Sequence, residues 1–217
     1  MNNKNNAPLP TEPHIVQRER WPRSGRPIMA HHDADSVIVY QAYRPAIGEW
    51  AIRHGHLGGP HFSLQRMSWI KPNFLWMMYR SGWGTKEGQE ITLALRLRRP
   101  FFEKLVRSAV VSGFDASAYA TREAWQAAVE HSDVRLQWDP DHAPDGTKLE
   151  RRAIQLGLRG DALAAMAQGP DLLEVIDMSA FVAAQRPLAH KDNAALCIPV
   201  EHPLALHATE EREKDTP

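Results

Sequence analysis

A chain of 217 residues, 43% of them apolar, is long enough to bury a sizeable core, and one domain is the expected organisation. Its 26 Lys and Arg balance 26 Asp and Glu, which excludes a polyelectrolyte that binds nucleic acid or membranes through bulk charge. Cys197 stands alone, so neither an internal disulfide nor a cysteine zinc motif is available. With no secretory or membrane-spanning apolar run, the expected address is a reducing cytoplasm.

Residues 1–25 are rich in Asn, Pro and charge without periodicity and read as a mobile arm; residues 207–217 read as a solvated tail. Between them, residues 26–206 show no linker or repeat and read as one globular domain. The β-branched run at 37–40 (VIVY) predicts a buried strand, and Pro45 opens a helix over 46–53 that Gly55 terminates. The alternation of Ile91, Leu93, Leu95 and Leu97 with Thr92, Ala94, Arg96 and Arg98 predicts a half-exposed strand. Pro100 opens the next helix, and Thr121 caps one running to His131. Val134, Leu136 and Trp138 alternate as a strand, DPDHAPDG reads as a turn-rich connection, and residues 153–158 form another strand. A helix over 161–167, a strand over 172–176 and a helix over 179–185 complete the pattern. Strands and short helices without regular βαβ spacing predict an α+β fold with a split, mostly antiparallel sheet and flanking helices.

The segment at 62–83 (FSLQRMSWIKPNFLWMMYRSGW) mixes aromatic rings with Arg66, Lys71 and Arg80. Flat rings beside cations suit a planar, anionic ligand, because the rings stack and the cations neutralise phosphate or carboxylate. The same rings also suit a helix core. From Arg66 to Arg107 there are nine Lys or Arg against three Glu, a local balance of +6 that can attract an anion.

Phosphate-binding GxxxxGK[ST], dinucleotide GxGxxG, HExxH and GxSxG patterns are absent. His54, His56 and His61 crowd a Gly-rich stretch that lacks rigid ligand spacing, and Asp139, Asp141 and Asp145 miss the calcium-loop spacing, so no metal site is predicted. Ser63 and Ser68 carry no sign of an activated nucleophile.

Together, VIVYQAYRPAI, FSLQRMSWIKPNFLWMMYRSGW, VRLQWDPDH and RAIQLGL resemble a family of bacterial and fungal proteins, domain of unknown function 4291, over roughly residues 26–203. That likeness implies an extent and no chemistry. More distantly, the chain resembles ADP-ribosyltransferases, in particular those that modify nucleic acid. Their first strand ends Tyr-His or Tyr-Arg, with a helix and Gly about fifteen residues on; here Tyr40-Gln41 precedes Gly55. Phe62, Arg66 and Tyr79 occupy places comparable to the aromatic, Arg and Tyr that follow in those enzymes, and residues 154–156 to the late strand bearing their catalytic Glu.

The resemblance implies an ADP-ribosyltransferase-like fold with NAD as substrate in a cleft between sheet halves. Tyr40, Gln41, Arg44, Arg66, Lys71, Trp76 and Arg80 are then the NAD-binding candidates, with Trp69, Trp76 or Tyr79 stacking on nicotinamide or a target base. Gln155, Glu150 and Tyr79 are the catalytic candidates. Gln41 and Gln155 depart from the enzymes' pattern: an amide cannot stabilise a cationic sugar as a carboxylate does. Either Glu150 supplies that charge or the chemistry is altered or lost. The other readings are a non-catalytic module that binds a nucleotide, RNA or DNA through stacking and phosphate contacts, and an interaction protein with exposed aromatics.

Overall fold

In the computed structural model, which describes residues 8–190 and 192–207, the chain begins with β1 (Thr11–Pro13), α1 (His14–Arg20) and β2 (Met29–Ala30). The apolar run at 37–40 forms β3 (Ser36–Tyr43). Pro45, with its fixed φ and missing amide donor, opens α2 (Pro45–His54), and Gly55 closes it at φ 72°. β4 (Ser68–Ile70) and α3 (Phe74–Ser81) share the aromatic block, followed by β5 (Ile91–Arg98) and α4 (Arg99–Ser108). After β6 (Val110–Val111), the Thr121 hydroxyl accepts the Ala124 amide at 3.1 Å and caps α5 (Arg122–His131). β7 (Val134–His142) and β8 (Lys148–Leu158) form a long hairpin. α6 (Gly160–Gln168), β9 (Leu172–Asp177), α7 (Ser179–Gln185), β10 (Cys197–Pro199) and β11 (His202–Pro203) follow.

These elements make a single-domain α+β fold with mostly antiparallel sheets. One sheet has the order β3-β5-β9 and another β4-β8-β7-β6, in which β6 alone runs parallel to its neighbour. β1 pairs with β10 and β2 with β11. Val37 and Val39 enter one core with residues of α2, α4 and α6, whereas Ile38 and Tyr40 enter a second with α3 and α7. Burial of both strand faces explains why VIVY shows no polar alternation. It also corrects the expectation of a half-exposed β5: Thr92 and Ala94 are fully buried, and the strand reaches solvent only at Ile91, Arg96 and Arg98. Among the described residues no helix is long and apolar enough to cross a membrane.

Two boundaries differ from the sequence expectation. Residues 9–21, read as part of an arm, belong to the folded body: Leu9 and Trp21 are buried, and β1 pairs with β10. Residues 1–7 lie outside the described residues, as do residues 208–217 of the expected tail, while His207 is held by a contact to buried Glu103 at 3.0 Å. The reason for the first difference is that polar contacts hold α1 in place. The Gln17 side-chain amide donates to the Ile198 and Pro199 carbonyls at 3.2 and 3.1 Å, and its oxygen accepts the Glu201 amide at 2.9 Å. The second difference is in β7, which continues through Asp139 to His142, so that the connection read from DPDHAPDG contracts to the turn where Ala143 and Thr147 meet.

Glu201 is fully buried beneath the start of α3, where its carboxylate accepts the Phe74 amide at 2.6 Å and the Asn73 side-chain amide at 3.1 Å. Asn73 in turn caps α3 by accepting the Trp76 amide at 2.7 Å. Burial outweighs these donors and raises the Glu201 pKa from 4.5 to about 8. An acid whose pKa is raised by folding stabilises the folded state most when protonated, so its contribution is lost as pH rises from about 4.5 through about 8. Half-buried His31 and His32 and buried His142, all lowered by desolvation, act in the opposite sense, so the comparison must be made against a variant. Denaturant unfolding from pH 5 to 8 is expected to show wild type losing stability relative to Glu201→Gln, by up to about 1.4 kcal/mol per pH unit. Parallel curves would contradict this assignment.

Candidate functional site

Lys71 follows β4 directly, and its backbone is pinned to β3. The Tyr40 amide donates to the Lys71 carbonyl at 2.7 Å, and the Lys71 amide donates to the Tyr40 carbonyl at 3.2 Å. This bridge joins the two principal sheets. Beside it lies a cavity of about 340 Å³ lined by Trp69, Lys71, Trp76, Arg80, Gln137, Asp139 and Gln155. That is within the range of small-ligand pockets.

The β7–β8 register builds the floor of the cavity. Gln137 stands directly opposite Gln155, and Asp139 is one pleat further along β7 on the same face. The Gln155 amide donates to one Asp139 oxygen at 2.7 Å, and the Gln137 amide donates to the other at 2.9 Å. Both carboxylate oxygens are therefore oriented by fixed donors. Trp69 pairs with Gly157 on β8, and the missing side chain there makes room for its indole: a Cβ at Gly157 would lie 2.9 Å from the Trp69 ring and 2.7 Å from the Met67 sulfur.

The opposite wall comes from α3. Trp76 is 5% exposed, and its indole nitrogen has no hydrogen-bond partner among the described residues. Arg80, one turn later, is exposed at the rim. Lys71 is only 6% exposed, yet its ammonium makes no hydrogen bond or ion pair among the described residues. Burial, with like-charge repulsion from Arg80, brings it down from 10.5 to about 8, while Asp139 acts the other way. The cavity thus offers two cations, one clasped carboxylate, two amides and two indoles.

Of the residues expected at the site, Lys71, Trp76, Arg80 and Gln155 converge here, together with Trp69. The others do not. Gln41 is occupied elsewhere: its amide donates to the Ser68 hydroxyl at 2.7 Å and the Trp69 carbonyl at 3.2 Å, and its oxygen accepts from the Tyr43 hydroxyl at 2.8 Å. It ties β3 to β4. The Tyr40 ring is buried in the second core against Phe74. Arg44 and Arg66 are exposed and outside the cavity lining. Tyr79 is 43% exposed, lines the neighbouring groove and stacks on His142 at 3.6 Å.

Glu150 cannot stand in for Gln155. It lies in the stretch of β8 where the register with β7 shifts, and it lines a different hollow beside α1 with Arg151 and Trp21. Sequence reasoning missed Gln137 and Asp139. Their signal was available in the Val134, Leu136, Trp138 alternation, which assigns residues 137 and 139 to the opposite face. His54 stacks on Trp50 at 3.9 Å, and among the described residues no cluster of His, Cys, Asp or Glu is arranged to hold a metal.

Two substitutions test this geometry. Lys71→Met removes a largely buried ammonium that folding disfavours and is expected to raise unfolding stability at pH 7 by roughly 1–3 kcal/mol; a loss of that size would contradict a net cost of holding the charge there. Gly157→Ala forces Trp69 or Met67 to shift and is expected to destabilise by roughly 1–3 kcal/mol and to alter tryptophan fluorescence. An unchanged spectrum and stability would place the indole elsewhere.

No curated protein matches the chain. A family profile matches residues 27–204, which is most of the described body and includes every residue lining the cavity. The chain therefore belongs to the family described as Domain of unknown function (DUF4291).

Proposed function

We propose that this cavity binds the planar, anionic part of a nucleotide, with NAD the candidate ligand, and that the chain is an ADP-ribosyltransferase-like enzyme in which Asp139 supplies the carboxylate. One observation carries the reading: Asp139 is held by Gln155 and Gln137 in a hollow that also contains Lys71, Arg80, Trp69 and Trp76. The ADP-ribosyltransferase likeness itself rests on the residue pattern around Tyr40, Phe62, Arg66 and Tyr79. The cavity takes one half of a dinucleotide, and the other half would extend past its mouth.

In this reading an indole stacks on the base or nicotinamide, and Arg80 makes charge-assisted hydrogen bonds to phosphate. Cleavage of the nicotinamide–ribose bond leaves the bonding electrons on nicotinamide and a cationic sugar. The Asp139 carboxylate, already oriented by two amides, stabilises that cation without reorganising. An acceptor hydroxyl or amine then bonds to the sugar carbon, and its proton passes to Asp139 and on to solvent. Gln155 acts as a positioning residue, which removes the difficulty that an amide at its place cannot carry the charge.

A second reading has a specific observation in its favour. Arg44 and Arg66 are exposed and make no side-chain ion pair or hydrogen bond among the described residues. Free guanidinium groups outside the cavity suit phosphates of an RNA or single-stranded DNA longer than the hollow. Binding would then occur without chemistry.

Calorimetric titration with NAD, paired with chromatographic detection of released nicotinamide, tests both. Arg80→Ala is expected to weaken NAD binding by about tenfold, the loss of a charged hydrogen bond to phosphate. Asp139→Asn is expected to keep the affinity and abolish nicotinamide release. Absence of binding at millimolar NAD would overturn the proposal, and salt-sensitive oligonucleotide binding without nicotinamide release would select the second reading.

A further inference from the structure

We propose that Lys71 is an imine-forming amine, and that the cavity accepts a phosphorylated aldehyde whose carbonyl carbon is presented to it. The inference rests on reading the hollow as an anion site, but it assigns Lys71 a covalent role that phosphate binding does not require. Lysine is rarely buried without a partner, since taking an ammonium out of water is unfavourable unless a counter-charge or hydrogen bonds replace the hydration. Lys71 is 6% exposed and makes neither an ion pair nor a hydrogen bond among the described residues, although Asp139 lines the same cavity. The Asp139 oxygens are taken up instead by Gln137 and Gln155. Its backbone is fixed at both the amide and the carbonyl by Tyr40, so the side chain enters from a rigid base.

The groups around it fit this chemistry. Arg80 carries the permanent charge that holds phosphate, and the Trp69 and Trp76 side chains line the space beside it. Burial and the Arg80 charge bring the ammonium to about 8, so about a tenth of the molecules carry a neutral, nucleophilic amine at pH 7. Its lone pair forms the C–N bond while the carbonyl π electrons move to oxygen. Asp139 carries one proton from nitrogen to this alkoxide, giving the carbinolamine, and a second to its hydroxyl, which leaves as water as the nitrogen lone pair closes the C=N bond. Amine and aldehyde give imine and water, with no change in oxidation state and no further reactant.

The test uses the full chain with pyridoxal 5′-phosphate as a planar phosphorylated aldehyde, followed by cyanoborohydride reduction and peptide mass spectrometry. Lys71 is expected to be labelled at least about tenfold more than exposed Lys86, Lys104 or Lys148, as a depressed-pKa amine in a phosphate site requires. Pyridoxal without phosphate, and the Arg80→Ala variant, are each expected to reduce Lys71 labelling by about tenfold. Labelling spread evenly over exposed lysines, or equal labelling by pyridoxal, would overturn the proposal. NAD has no aldehyde, so its calorimetric titration reads the nucleotide site separately. NAD binding without a Lys71 adduct overturns the imine role alone, and a selective Lys71 adduct without NAD binding supports the imine role and removes the nucleotide reading.

Discussion

The pair of backbone hydrogen bonds between Tyr40 and Lys71 is the constraint on which the candidate site depends. It is a backbone bridge between two sheets, reinforced by the Gln41 side chain, and each of its residues sends its side chain to a different environment. Tyr40 packs into the core against Phe74. Lys71 enters a polar hollow. The same bridge fixes where β4 begins to turn away, and with it the position of Trp69 over Gly157. If the bridge opened, one wall of the cavity and its central cation would move together.

The second support is the start of α3. The buried Glu201 carboxylate and the Asn73 cap fix the helix that carries Trp76 and Arg80, and Glu201 is itself held through Gln17 of α1. Arg151 extends this network: it pairs with Asp141 inside the protein and lies over the Trp21 ring at 4.8 Å. Segments near both ends of the described chain thus brace the helix from behind while its other side faces the hollow. Such an arrangement suits a site that must hold a ligand with little movement, because fixed donors and charges need not reorganise on binding.

Much of the fold was legible because its signals are local. Pro45 and Gly55 bound α2, Thr121 caps α5, and apolar alternation marks β5 along its full length. What stayed hidden depends on contacts distant in sequence. α1 has seven residues and buries His14 and Gln17, so it shows no apolar stripe. β1, β2, β10 and β11 are two or three residues long and acquire their identity only from partners far along the chain. In the site, the rich residue types at 69–80 were visible, but closeness in sequence misled for Arg44, Arg66 and Tyr79. Asp139 was hidden by a Pro- and Asp-rich stretch that looks like a turn and is a strand whose register with β8 shifts just past Pro140.

The central claim is that one hollow at the sheet junction is where a phosphorylated ligand sits. A crystal structure of the chain soaked with ADP-ribose measures this most directly. The account predicts electron density between Trp69 and Trp76, with phosphate on Arg80 and a sugar carbon next to Asp139 and Lys71. Density in the hollow beside Glu150 and Arg151, or an empty sheet junction in crystals with ligand bound elsewhere, would contradict it.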